Sequence, residues 1–284
     1  MGRPDSTRLG LFVGLLVVFA GGLHLVARIV DTSPIALAPI YMFSPLIAGL
    51  AVCLRHGVAL TDVGLRRGRV RWLALSAVVA LPLVAMALLV AVAVPGVGFN
   101  PAADPLPGIA LPSGFLGVLA TFLLALGLGA TVNAAFAFGE EFGWRGYLLW
   151  ELAPLGFWRA SVLIGAVWGL WHAPVIVAGY NYPSFPLLGV LAMTVACVSF
   201  SPVYTYLVVQ ADSVLAAAFL HGVFNGSAGL VIAYAVADGA VLTEFVASPV
   251  GVAGVIAFGL ATGGIALAGV PSLSHRFTRD SATS

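Results

Sequence analysis

Apolar residues run along this chain in blocks of about twenty, separated by short segments in which Gly, Pro, Asp, Asn and Arg collect. The blocks lie at about 9–30, 34–54, 72–94, 114–152, 158–178, 187–209, 213–236 and 248–270. Each reaches roughly the 20 residues that an α-helix needs to cross a bilayer. The pattern predicts an all-α polytopic membrane protein of about eight transmembrane helices. The fourth block is too long for one crossing, since about 39 residues at 1.5 Å each approach 60 Å. Either part of it lies at the interface or the chain bends within it.

Composition agrees with this reading. The chain is 61% hydrophobic and 8% charged, and its mean hydropathy of +1.09 lies outside the range of soluble domains. A net charge of +1 and scattered arginines leave no nucleic-acid footprint. The first block follows a basic start, as in a signal peptide, but it is longer than the usual apolar region of about 7 to 15 residues. It reads as a retained first span. Cys53 and Cys197 lie far apart inside apolar runs and read as packing residues.

Orientation follows from the arginines. With a cytoplasmic N-terminus, the inner segments hold Arg3, Arg8, Arg55, Arg66, Arg67, Arg69, Arg71, Arg159, Arg276 and Arg279, which is ten of the twelve basic residues. Both termini are then cytoplasmic, and the cell membrane is the expected location. Trp72, Trp150 and Trp158 mark the inner boundary, while Tyr180 and Tyr182 mark the outer one. The outer loop 95–113 has five prolines and reads as an ordered turn or a flexible connector. Residues 1–284 form a single membrane domain.

Against this background three stretches stand out, because ionisable groups inside a membrane are costly and usually act there. They are GEEFGWRG with Glu140, Glu141 and Arg145, VWGLWHAP with Trp168 and His172, and LHGVFNGS with His221 and Asn225. Counted along their helices, all fall in one middle slab of the bilayer. Glu141 and Arg145 are spaced i, i+4 and predict a salt bridge. Glu140 points about 100° away and is left outside that pair, suited to accept a proton. Pro174 predicts a kink beside His172. His221 and Asn225 share a face, with Gly222 and Gly226 on a neighbouring stripe that allows close helix approach. His24, His56 and His275 read as packing or solvated residues.

One carboxylate, two imidazoles and an amide can hydrolyse an acyl bond. Glu140, with or without His172, can activate water, while His221 and Asn225 donate to the oxyanion. The same set offers Glu140, His172 and His221 as ligands for a zinc ion that would acidify the water. Both versions stay open at this level.

The three stretches resemble the CAAX prenyl protease and bacteriocin-processing (CPBP, or Abi) family, whose pattern is EExxxR, FxxxH and HxxxN on successive helices. The first and third motifs are complete here, and the second has Trp168 in place of phenylalanine, which bears on pocket shape. The resemblance covers about 114–236, the expected catalytic core. It implies an eight-helix intramembrane endopeptidase acting on a membrane-associated peptide or protein. In it Glu140 is the base, His172 its partner and His221 with Asn225 the oxyanion site, supported by Glu141, Arg145 and Trp168. Members are often labelled metalloproteases, but a metal-free glutamate mechanism has been argued for the prenyl proteases, and the glutamate-activated water is the version favoured here. The rival readings are a non-catalytic immunity or scaffold protein of the same family, and a proton-coupled transporter. Because His221 lies nearer the inner side, the cavity is expected to open toward the inner leaflet.

Overall fold

A computed structural model describes residues 3–103, 111–112 and 114–273. Among these, seven helices are long and apolar enough to cross a membrane: α1 (Ser6–Ile29), α2 (Ala38–His56), α3 (Val70–Val92), α4 (Phe115–Leu155), α5 (Phe157–Val177), α6 (Pro186–Ala211) and α7 (Leu215–Tyr234). A shorter apolar helix, α8 (Val252–Ala268), follows. The eight apolar blocks therefore appear as eight helices, and the protein is a nearly all-α multi-pass membrane protein. His275, Arg276 and Arg279, together with residues 104–110 and 113 of the loop 95–113, lie outside the described residues.

Two departures from the all-α expectation are informative. Val97–Phe99 (β1) pairs antiparallel with Ala235–Ala237 (β2), with Gly98 opposite Val236. Three residues on each side carry too little alternation to be read from sequence. The pair fastens the segment after α3 to the end of α7. The second departure is α4, which is neither broken nor shortened but contains two π-helical segments, Gly129–Asn133 and Phe142–Leu148. A π turn holds one more residue than an α turn and so rotates every later side chain around the axis. Before the second segment α4 exposes Phe115, Leu123 and Val132 on an apolar face. From Gly139 to Leu149 every residue is buried. The long helix thus exposes one apolar face over its first half, beside the buried positions that pack on α7, and is buried on every face from Gly139 to Leu149 in its second.

Close helix crossings carry this core. A Cβ on Gly222 of α7 would lie 2.4 Å from the Ala134 nitrogen of α4, and one on Gly143 would lie 2.4 Å from Cβ of Pro45 in α2. Glycine is what lets α4 touch α7 on one side and α2 on the other.

The arginine-rich segments gather at one end. Arg8 of α1 donates to both carboxylate oxygens of the fully buried Glu151 at 2.6 and 3.0 Å, and the Asp5 backbone N–H donates to the same group at 2.6 Å. The side chain of Asp5 caps α1 by accepting from the N–H groups of Thr7 and Arg8, and the Arg8 N–H in particular holds its carboxyl below the usual carboxylate range. The basic loop after α2 is not merely solvated. Arg66 pairs with Asp212 at 3.3 Å, and Arg69 donates to the Gln210 carbonyl at 2.9 Å, lacing the loop to the α6–α7 turn.

Tyr180 is partly exposed at the opposite end, whereas Tyr182 is fully buried. Its hydroxyl donates to the Val250 carbonyl at 2.8 Å and its ring stacks on Phe245. Tyr182 is a packing residue, not a boundary marker. Cys53 and Cys197 are both free and buried, in line with packing roles. His24 is half-buried and His56 exposed.

Candidate active site

The salt bridge required by the i, i+4 spacing is present. Arg145 Nη1 lies 3.1 Å from both oxygens of Glu141, and neither residue is exposed. Around it sits more than the spacing could reveal. The guanidinium lies over two neighbouring aromatic rings, 4.3 Å from the Trp168 ring centre and 4.5 Å from that of Tyr204. Its Nη2 donates to Ser201 Oγ at 3.3 Å. A weakly hydrated, planar cation tolerates such stacking where an ammonium would not.

Glu141 has a second partner, the Nδ1 of His221 at 2.8 Å from Oε1. A carboxylate only accepts, so Nδ1 carries the hydrogen and Nε2 is the nitrogen left for other work. Glu140 on the neighbouring face is held differently, by the Trp168 indole Nε1–H, which donates to Oε2 at 2.8 Å. The tryptophan that departs from the FxxxH pattern therefore bears on chemistry as well as shape, since a phenylalanine has no donor.

On α5, regular helix stops at Trp171 and resumes at Ala173, so the kink falls at His172. The proline two residues on has no N–H to offer Leu170, and the His172 backbone N–H donates to Gly169, not to the Trp168 carbonyl one residue further back. The released carbonyl is 2.8 Å from His172 Nδ1. It too can only accept, which places the hydrogen on Nδ1 and leaves Nε2 of the neutral ring as an acceptor.

Glu140, His172, His221 and Asn225 all line one cavity of about 100 Å³, with Tyr41, Met193 and Phe224 among its apolar walls. That is room for a few water molecules at about 30 Å³ each. Glu140 and His221 are buried, His172 is partly buried and Asn225 is exposed. The helices have thus brought together four side chains from three separate stretches of sequence.

The cavity does not open toward the arginine-bearing end. Its wall includes Ala38, Met42, Tyr180, Asn181 and Val250, all at the other end, and it reaches the surface at Tyr180 and Asn225. The expectation of an inner-leaflet opening fails because the α6–α7 turn is recessed under the basic loop, where Val214 N–H donates to Gly64 and Ser213 Oγ to Arg66. Counting from the start of α7 therefore placed His221 too near the inner side.

Among the described residues no three His, Cys, Asp or Glu side chains come together as ligands for one metal ion. Glu140, His172 and His221 as arranged here do not fit the zinc version, and Glu140 Oε2 is already taken by the indole.

Residues 120–227 match the family described as type II CAAX prenyl endopeptidase Rce1-like. A CAAX prenyl protease 2 of Methanococcus maripaludis is similar to this chain, 37% identical over 76 residues. That stretch is 26% of this chain and 24% of the relative, so the match spans about a quarter of the curated protein's length. Glu140, Glu141, Arg145, Trp168, His172, His221 and Asn225 all fall within residues 120–227, and the resemblance carried by the three motifs is borne out over this core.

Proposed function

Taking the Rce1-like match over residues 120–227 as premise, we propose that this protein is an intramembrane endopeptidase of the cell membrane that hydrolyses a peptide bond in a membrane-associated peptide or protein. The observation that carries the reading is the shared cavity of Glu140, His172, His221 and Asn225. The chemistry belongs to residues 114–236 of a single membrane domain whose termini face the cytoplasm.

Glu140 takes a proton from a water molecule in the cavity as the water oxygen attacks the scissile carbonyl carbon. His172 Nε2 is the second acceptor available to that water. The electron pair of the carbonyl moves onto oxygen, and the oxyanion is stabilised by hydrogen bonds from His221 Nε2 and the Asn225 amide. Donation through Nε2 requires His221 to carry hydrogens on both nitrogens, and the Glu141 carboxylate 2.8 Å from Nδ1 balances the charge. Collapse of the tetrahedral species breaks the C–N bond, and the proton held by Glu140 passes to the leaving amine. The peptide reaches the cavity between Tyr180 and Asn225, from the end opposite the arginines.

The test is cleavage of a peptide library by the purified protein in detergent, wild type beside Glu140→Ala. Cleavage by wild type and loss of it in the variant support the reading, whereas equal turnover by the two removes it.

A further inference from the structure

Trp168 occupies a position in this site that packing alone does not require. Its indole N–H meets Glu140 Oε2 at 2.8 Å, its ring face carries the Arg145 guanidinium at 4.3 Å, and its backbone carbonyl receives His172 Nδ1 at 2.8 Å. Its ring also meets that of His221 edge-on, with centres 5.4 Å apart. One buried residue thus touches Glu140, Arg145 and both histidines.

We infer that Trp168 is the positioning residue of Glu140, holding one carboxylate oxygen through its indole N–H so that the other faces the water of the cavity. This rests on the hydrolytic reading of the site. A glutamate side chain has three rotatable bonds and so several staggered arrangements open to it. An N–H bond to Oε2 selects one arrangement. The indole suits the task because it only donates. A tyrosine, serine or histidine in its place could also accept, and so could exchange roles with the water. The indole fixes the carboxylate and leaves its proton-accepting capacity to the substrate water.

The experiment replaces Trp168 by benzothienylalanine, which keeps the fused ring and substitutes sulfur for the N–H, and separately by phenylalanine, Trp168→Phe. With a cleaved peptide from the library, both are expected to lower kcat by about 10- to 100-fold, the scale of a misplaced reacting group, with KM changed less than about twofold. A merely structural role would leave the isostere at wild-type kcat, and that result overturns the inference. A second readout is independent of turnover. In protein carrying ¹⁵N-indole tryptophan, the Trp168 N–H resonance is expected to shift upfield in Glu140→Gln, where a neutral amide oxygen replaces the carboxylate. An unmoved resonance overturns the contact even if the protein cleaves peptides. A shifted resonance in a protein with no peptidase activity supports the contact and takes away only the proteolytic reading.

Discussion

His221 is bound to Glu141, not to Glu140: its Nδ1 lies 2.8 Å from Glu141 Oε1. The same carboxylate accepts from Arg145 Nη1 at 3.1 Å through both oxygens. Glu141 therefore joins a cation and an imidazole within a fully buried network, and Glu140 stays outside it on the indole. Two adjacent acids of identical chemistry have been given separate duties by their neighbours. That separation leads to opposite expectations for the two isosteric substitutions.

Glu141→Gln removes the charge that Arg145 needs while leaving that guanidinium fully buried. Breaking a buried pair from one side costs about 3–5 kcal/mol. The variant is expected to melt well below wild type in a thermal denaturation series in detergent. A melting temperature equal to wild type would show that Arg145 is satisfied by Ser201 and its two aromatic faces alone.

Glu140→Gln should behave the other way. The amide oxygen can still accept from Trp168, and a buried charge has been removed, so stability is expected to match or exceed wild type. Turnover of a cleaved peptide is expected to fall by about 10²- to 10⁴-fold, the usual worth of a general base. Parallel loss of stability and activity would mean that Glu140 is a structural residue.

At the arginine-rich end, Arg8→Ala leaves the buried Glu151, among the described residues, with the Asp5 N–H as its hydrogen-bond donor. A loss of about 3 kcal/mol is expected. Because the cost lies in the orphaned charge, the double variant Arg8→Met, Glu151→Gln should recover most of it. Chemical denaturation of the three proteins side by side checks this, and additive losses in the double variant would count against it.

The α4–α7 crossing can be tested by one methyl group. In Gly222→Ala the new Cβ would stand 2.4 Å from the Ala134 nitrogen and 2.5 Å from the Gly129 carbonyl oxygen. Backbone cannot move aside cheaply, so about 1–3 kcal/mol should be lost, and the adjacent His221 should shift with it. Gly229→Ala on the same helix meets nothing within 4 Å and is expected to leave melting temperature and peptide turnover unchanged.

Metal dependence has a direct measure. Since no three ligating side chains converge among the described residues, purified protein is expected to keep its peptidase turnover after dialysis against a chelator, with metal content far below one per chain. Activity that disappears on chelation and returns with zinc would contradict the glutamate-only chemistry.

The helices and one ion pair were legible in the sequence because they depend on local spacing. Runs of about twenty apolar residues become spans, and Glu141 with Arg145 are four apart on one helix whatever surrounds them. Pro174 announced the break at His172 for the same reason. Contacts between helices were not legible. The His221–Glu141 bond, with 80 residues between its partners, depends on how far α7 is rotated, and the indole–Glu140 bond on how α5 faces α4. The π segment Phe142–Leu148 further displaces every later side chain of α4 from the face that regular α-helical counting gives it. Depth counting brought the four cavity residues to a common level, but it could not anticipate the recessed turn before α7 and so misjudged the side on which the cavity opens.

The bond between Arg8 and Glu151 also has a consequence in time. These residues are 143 positions apart, and only 17% of the apolar stretch of α1 is buried within the protein. A ribosome making this chain releases α1 long before its partner exists, so the bilayer alone must hold that helix at first. We expect α1 to insert early and dock late, once the end of α4 arrives. Nascent chains halted before and after residue 151, carrying a cysteine pair at positions 8 and 151 in the longer form, should show the disulfide only after α4 is complete and α1 already lies within the membrane.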